Sequence, residues 1–451
     1  MKKLKLSTTH IIMLSFLVLI MLGAVLLMLP ISSANGTTTP FVDALFTATT
    51  ATCVTGLVVV PTFSAWSTFG HVIILLLIQV GGLGVITVLA AFSMMLHRKM
   101  GLSDRLLVQD AFNLDSLAGL GVFVKKVVKG ALVVEGVGAL LYMTVFVPDF
   151  GVRGIWISVF NSISAFCNAG IDIFASDSLC SYATNPVINL VTSFLIVVGG
   201  LGFIVWWDVI RIIKGRISGR RIGLKSLTLH SKIVLSTTAV LLVGGGLLFL
   251  LLEYNNPLTI KDMSLYDKVQ VAFFQSVTTR TAGFMSVPQE NLTNASAILS
   301  LMLMFVGGSP VGTAGGVKTV TIVVIIASAV ASVKNKDSVD LFNRSIARQT
   351  VSKAIAVACM SGLIVAVSTV LLSLATPHAS VIDVAFETVS ATATVGLSRN
   401  LTSGLDVLGK LIIIATMYFG RIGPISLAVA LNLRKQNTSI IKNPTEDIRV
   451  G

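Results

Sequence analysis

Four short stretches carry the backbone pattern that could handle an ion: Cys53-Val54-Thr55-Gly56-Leu57, Cys167-Asn168-Ala169-Gly170-Ile171, Arg280-Thr281-Ala282-Gly283-Phe284 and Ala393-Thr394-Val395-Gly396-Leu397. Each sets one glycine after a Ser/Thr/Ala-rich segment and before an apolar residue. The chain shows no nucleophile–base pattern and no Cys/His cluster with metal-ligand spacing. The chemistry on offer is therefore ligation by backbone oxygen. Four extended segments around one axis can aim carbonyls inward and replace an ion's water shell. Glycine suits that task because it accepts φ > 0 and carries no Cβ to block the path. The candidate ligating residues are Val54, Thr55 and Gly56, then Asn168, Ala169 and Gly170, then Thr281, Ala282 and Gly283, and finally Thr394, Val395 and Gly396.

The elements that must position them follow from the period. The glycines recur at intervals of 114, 113 and 113 residues, and a phenylalanine stands ten positions before each: Phe46, Phe160, Phe273 and Phe386. A period held over the whole chain is an internal repeat. The expected fold is an all-α integral membrane protein with four repeats of outer helix, pore helix, filter and inner helix around one central pore. The repeats divide as 1–112, 113–226, 227–345 (with a broken inner helix) and 346–433, and 434–451 forms a cytoplasmic tail. Outer helices are expected at 11–30, within 129–147, near 233–253 and at 353–375. Inner segments are expected at 70–96, within 187–210, near 295–333 and at 407–433. That makes eight spans and four re-entrant helices. Pro40 suits the start of the first pore helix.

Composition agrees with a membrane protein: 54% of the 451 residues are hydrophobic and only 12% are charged. Four scattered cysteines are too few for a disulfide framework. Of the 33 Lys/Arg residues, 25 fall in the N-terminus, the repeat junctions and the C-terminal tail, against five in the opposite loops. The positive-inside rule then makes both termini and the junctions cytoplasmic. The net charge of +13 becomes a property of that face, suited to anionic headgroups or an acidic partner rather than to nucleic acid. Eleven of the 20 Asp/Glu residues, among them Asp43, Asp149, Asp172, Asp177 and Glu290, fall on the other side or in the pore segments, and a negative mouth concentrates cations. Asp172 stands out there, two residues beyond Gly170.

The third inner segment is broken by Gly307-Gly308-Ser309-Pro310-Val311-Gly312-Thr313-Ala314-Gly315-Gly316. Each glycine costs a helix ~1 kcal/mol and proline ~3 kcal/mol relative to alanine, so no helix continues through it. Below a filter, such an unwound loop reads as a mobile gate, the alternative being a static kink needed for packing. Its glycines Gly307, Gly308, Gly312, Gly315 and Gly316 are gate candidates, with Lys318 and Arg421 either as tethered charges that limit flow or as structural charges paired with an acid or with backbone carbonyls. Glu135 is an acid well inside the second expected outer helix, and the sequence pairs it with nothing.

The four filters, the broken third segment and Gly420-Arg421-Ile422-Gly423-Pro424 together resemble the Trk/Ktr/HKT superfamily of potassium transporters. The stretch Thr394-Val395-Gly396 also resembles the Thr-Val-Gly core of potassium channels. Within the superfamily the chain looks like the membrane subunit of bacterial Ktr systems, since Trk-type subunits carry two further N-terminal helices. The resemblance implies potassium uptake through a pore in each protomer, a homodimer in the bacterial plasma membrane, and a cytoplasmic ring of nucleotide-binding, RCK-type regulatory subunits. It implies no cofactor in this chain, potassium as substrate, and a nucleotide held by the partner. It places the filter glycines at the ion site, the loop at the gate and Arg421 beside it. One departure is Ser309-Pro310-Val311, where many relatives have Gly-Ser-Ala or similar; the proline stiffens the loop. The rivals are a sodium or unselective cation pathway, a solute carrier with broken helices and an intramembrane enzyme. The docking surface expected for the partner is 211–232, 334–353 and the tail, with Arg220 and Arg221 as its test residues.

Overall fold

The structure, a computed structural model, describes residues 8–95, 101–112, 119–175, 177–219, 223–336 and 338–423. Arg220, Arg221, the tail and the last part of the fourth inner segment lie outside the described residues. The outer helices are Thr8–Met28, Leu120–Phe150, Leu229–Glu253 and Arg348–Ala375. All four are long and apolar enough to cross a membrane by length and composition. Their apolar residues do not all turn inward. Val18 and Leu22, Leu132 and Leu140, Val240 and Leu251, and Val370 and Leu374 are exposed, as helices bathed in lipid require.

After each outer helix comes a short helix: Phe41–Cys53, Arg153–Cys167, Leu265–Thr278 and Val381–Ala393. The first begins one residue after Pro40. These pore helices form the buried centre; Phe46, Phe160, Phe274 and Phe386 have no solvent exposure. In the third repeat the fully buried ring is thus Phe274, next to the Phe273 of the repeat pattern, which is 38% exposed.

Each inner helix then starts at a polar cap. Ser67, Asn185, Thr293 and Asp406 accept from the backbone N–H of Gly70, of Val187 and Ile188, of Ser296 and of Gly409. A side-chain oxygen there satisfies donors that the first helical turn leaves free.

The inner helices depart from the expected continuous spans. The first consists of Thr68–Leu83 and Val85–Met95, bent by 98°, and the second of Pro186–Gly200 and Phe203–Ile217, bent by 103°. The bends fall at Gly84 (φ 87°) and Gly202 (φ 86°), and Gly423 (φ 92°) ends the helix Val407–Ile422 in the same conformation. The third inner segment is broken as expected, between Asn294–Phe305 and Thr319–Val333. The sequence carries the reason as Gly81-Gly82-Leu83-Gly84, Gly199-Gly200-Leu201-Gly202 and Gly420-Arg421-Ile422-Gly423. In each, the first glycine packs on a pore-helix carbonyl. A Cβ at Gly81, Gly199 or Gly420 would lie 1.9, 2.0 or 2.1 Å from the carbonyl oxygen of Thr52, Phe166 or Thr392. Three residues later the left-handed glycine turns the chain aside, a conformation an L side chain resists. Among the described residues the only strands are Val339–Leu341 and Arg344–Ile346, a small hairpin before the fourth outer helix.

Candidate ion-conducting site

The four glycine stretches meet. A Cβ built on Gly56 would lie 2.5 Å from Ala169 O, one on Gly170 2.5 Å from Ala282 O, one on Gly283 2.6 Å from Val395 O, and one on Gly396 2.2 Å from Thr55 O. The order closes on itself, from first repeat to second, third, fourth and back to first. Each glycine thus sits against the carbonyl that precedes the next repeat's glycine.

The local fold of each stretch turns its donors outward. Pore helices one, two and four end in a left-handed residue, Val54 (φ 56°), Asn168 (φ 61°) and Thr394 (φ 51°); Thr281 (φ 65°) takes the equivalent position in the third repeat. The next N–H turns back to its own pore helix, so Thr55 donates to Thr50 O, Ala169 to Ser164 O and Val395 to Ser390 O, each at 2.8 Å. In the third repeat Ala282 donates to Thr278 O at 3.0 Å. Hydroxyls six residues before the glycine add to this anchorage. Thr50 Oγ1 and Ser390 Oγ accept from Gly56 N and Gly396 N, and Ser164 Oγ accepts from Ile171 N.

The acceptors are left on the other side. No described residue donates a hydrogen bond to the carbonyls of 54–56, 168–170, 281–283 or 394–396. Except for Gly396 these residues are buried. Buried carbonyls are nearly always paired, so twelve without a donor among the described residues make this ring the candidate place for a cation to be ligated. The negative ends of the pore-helix dipoles point the same way.

One cavity lies on each side of the ring. The outer one, about 350 Å³, is lined by all four ring glycines together with Asp172, Asp177, Cys180 and Glu290. The inner one, about 340 Å³, is lined by residues 81–87, 311–312, 314–318 and 420–423, which include Lys318 and Arg421.

The glycine-rich segment of the third repeat stands between the ring and the inner cavity. A Cβ on Gly315 would lie 2.0 Å from Thr394 Oγ1, so this residue touches the fourth ring stretch. The segment is tied down throughout. Ser309 N and Thr313 N donate to Gly200 O and Gly199 O, and Phe203 N donates to Val311 O. Thr313 Oγ1 reaches Phe166 O and Asn168 Oδ1, both at 3.0 Å. Three cations take up its carbonyls: Arg421 Nη1 donates to Thr313 O at 2.7 Å, Lys318 Nζ to Ala314 O at 2.6 Å, and Arg280 Nη2 to Gly307 O at 2.9 Å. Arg421 Nη2 also donates to Gly81 O at 2.7 Å, which joins the segment to the bend of the first inner helix. None of the three cations has a carboxylate within salt-bridge distance among the described residues.

Glu135 stands apart from these cations. Gln79 Nε2 donates to Glu135 Oε2 at 3.2 Å, and Cys167 Sγ lies 3.7 Å from Gln79 Oε1. It joins the first inner helix, the second outer helix and the second pore helix. Arg280 and Thr313 were not singled out in the sequence. The signal for Arg280 was a cation where the other repeats have Cys53, Cys167 and Ala393.

Comparison with known proteins places this geometry. The family model described as TrkH, cation transport protein, matches residues 4–440. The chain belongs to the TrkH family of cation transport proteins. This TrkH-family chain is 39% identical to the potassium/sodium uptake protein NtpJ of Enterococcus hirae, over 99% of this chain and 98% of that protein. It is 38% identical to the Ktr system potassium uptake protein B of Bacillus subtilis, over 100% and 98% of the two chains. Its fold is similar to the crystal structure of the potassium transporter TrkH from Vibrio parahaemolyticus, with a TM-score of 0.76 at 17% identity, covering 96% of this chain and 86% of that one. The TrkH family comprises ion transporters and not enzymes, and the chain is a multi-pass, all-α membrane protein.

Proposed function

We propose that this chain is the potassium-translocating subunit of a Ktr-type uptake system, selective through residues 54–56, 168–170, 281–283 and 394–396. The observation that carries the reading is the closed ring of four glycines with its undonated carbonyls. The names of the Bacillus subtilis and Enterococcus hirae relatives point to potassium as the cargo, and the second of them also names sodium. Flux of the purified chain in liposomes, with potassium and sodium compared, tests it. Preference for potassium is expected; equal passage of the two ions favours the weakly selective reading of the same architecture.

The segment 307–316 acts as the gate in this reading, held by Lys318 and Arg421. Its contact with the fourth ring stretch and its position over the inner cavity support that role.

Asp172 serves as the outer cation-gathering group. Burial raises its carboxyl to about 7, with the Ser178 hydroxyl opposing the rise and Asp177 adding to it. The side chain is therefore charged above that value and neutral below it. Asp177, Cys180 and Glu290 share the cavity with it. Uptake from dilute potassium should fall as external pH drops from about 8 to about 6, and Asp172→Asn should lower uptake and flatten that profile. An unchanged profile in the variant removes Asp172 from this role.

A homodimer in the bacterial plasma membrane, with cytoplasmic termini, completes the reading. The control partner is a cytoplasmic nucleotide-binding subunit of RCK type. Lys214, Lys225, Lys334, Lys336 and Arg344 are exposed on the basic junctions and offer it a docking surface. Co-purification of such a partner should weaken as salt rises. Reversing charge at Lys334 and Lys336, or at Arg220 and Arg221, should reduce its binding while dimers persist. Full nucleotide control of flux by the purified chain alone would rule out an external regulator.

A further inference from the structure

The third repeat differs from the others in two ways, and one hydrogen bond joins them. Three residues before the ring glycine the other repeats have Cys53, Cys167 and Ala393, while the third has Arg280. After the first inner glycine the others turn within three residues at Gly84, Gly202 and Gly423, while the third runs from Gly307 through an unwound segment to Lys318. Arg280 Nη2 donates to the carbonyl of Gly307, the first residue of that segment, at 2.9 Å. The arginine is only 6% exposed and has no carboxylate partner among the described residues. Its other terminal nitrogen, Nη1, is buried without a protein partner, and so is Thr238 Oγ1 on the third outer helix. Both residues line one cavity of about 20 Å³, with Gly308 and Gly200 on its wall. That volume suits one water molecule, and a polar pair is what holds one in a protein interior.

We propose that Arg280 is a positioning residue that latches the start of the glycine-rich segment to the third ring stretch, and that one ordered water between Arg280 Nη1 and Thr238 Oγ1 extends the latch to the third outer helix. The proposal rests on the gating role given above to residues 307–316. The latch favours the arrangement in which Gly315 lies against Thr394, and a tie present in only one arrangement shifts the balance toward it. The glycines around it explain why the segment needs such a tie. It makes no helix of its own, and its carbonyls have to be held from outside.

The test uses the full-length chain in liposomes without its regulatory partner. Arg280→Met should raise flux by about tenfold, the scale of one hydrogen bond to a charged group, with the potassium-to-sodium ratio unchanged. Arg280→Lys, which keeps a donor for Gly307 O, should restore part of the restraint. Amide exchange of residues 305–318 should quicken in Arg280→Met and, to a smaller degree, in Thr238→Val, while exchange in 394–397 stays as in the parent. Parental flux and exchange in a folded Arg280→Met dimer would overturn the latch. Deleting residues 312–316 separates the two ideas: if the deletion raises flux and Arg280→Met does not, the latch alone is wrong. If the deletion leaves flux unchanged, the gating role is wrong, and the exchange rates still decide the latch. Should Arg280→Met fail to fold, Thr238→Val decides, and parental exchange there overturns the proposal.

Discussion

Gly56→Ser should abolish most of the preference for potassium over sodium. Gly56 has φ 97°, and a Cβ there would lie 2.5 Å from Ala169 O and 3.2 Å from Gly396 Cα. Neither neighbour is the end of a flexible side chain. The ring must therefore widen or tilt on that side, and the carbonyl of Ala169 leaves its place. A loss of about 1.4 kcal/mol in the difference between the two ions is tenfold in their ratio, and displacement of one ligand among a few is worth at least that. Gly396→Ser, whose Cβ would lie 2.2 Å from Thr55 O, should act at least as strongly. Thr52→Ala, in the first pore helix, should have a smaller effect, because its hydroxyl holds no partner in the ring. Gly362→Ser is the control: nothing lies within 4 Å of a Cβ there, and the ratio should stay as in the parent. The measurement is the ratio of potassium to sodium flux in liposomes, with folding checked by a size-exclusion profile that matches the parent. Parental ratios in both ring variants would remove the filter assignment.

Deleting residues 312–316 should raise partner-free flux by an order of magnitude or more and leave the ion ratio in place. The deletion removes Gly315, which touches Thr394, and Thr313, whose carbonyl Arg421 holds at 2.7 Å. It also removes Ala314, the acceptor for Lys318 at 2.6 Å. Hydrogen bonds to charged groups are worth ~1.5–3 kcal/mol each, so losing two shifts a closed-to-open balance well beyond tenfold. The ring itself keeps its donors to Thr50, Ser164, Thr278 and Ser390, which is why the ion ratio should not move. Flux at or below the parental level in a folded deletion variant would favour a packing role for the segment. The stiffness expected of Pro310 is matched by what surrounds it. Val311 takes φ 63°, and the residues around it bond to the bend of the second inner helix. In the gating reading proposed above, opening would require that bend to give as well as the loop.

How much of this was legible beforehand varied with the range of the forces involved. The four ring stretches were readable because each needs glycine for a local reason. Their spacing exposed a repeat that no single Thr-x-Gly pattern would have revealed. The third break was readable for the same reason, since five glycines and a proline in ten residues leave a helix no hydrogen-bond ladder. The bends at Gly84 and Gly202 were not read. A glycine inside an apolar run costs a helix only ~1 kcal/mol, so the run still scans as one span. What bends it is packing of Gly81 on Thr52 O and of Gly199 on Phe166 O, and that contact exists only once the pore helices are in place.

The sequence by itself determined which segments are apolar enough for lipid, where the third inner segment breaks, and that one unit occurs four times. These depend on a residue and its near neighbours, and sequence lists those directly. The tertiary structure alone decided the partners of the buried polar groups. Arg421 donates to Gly81 O across 340 residues, Glu135 takes Gln79 rather than a cation, and Arg280 holds Gly307 O. A charge enclosed at membrane depth must find an acceptor, and that requirement is visible in the chain. Which acceptor it finds depends on four repeats closing into one ring, because only closure brings the first inner helix beside the last.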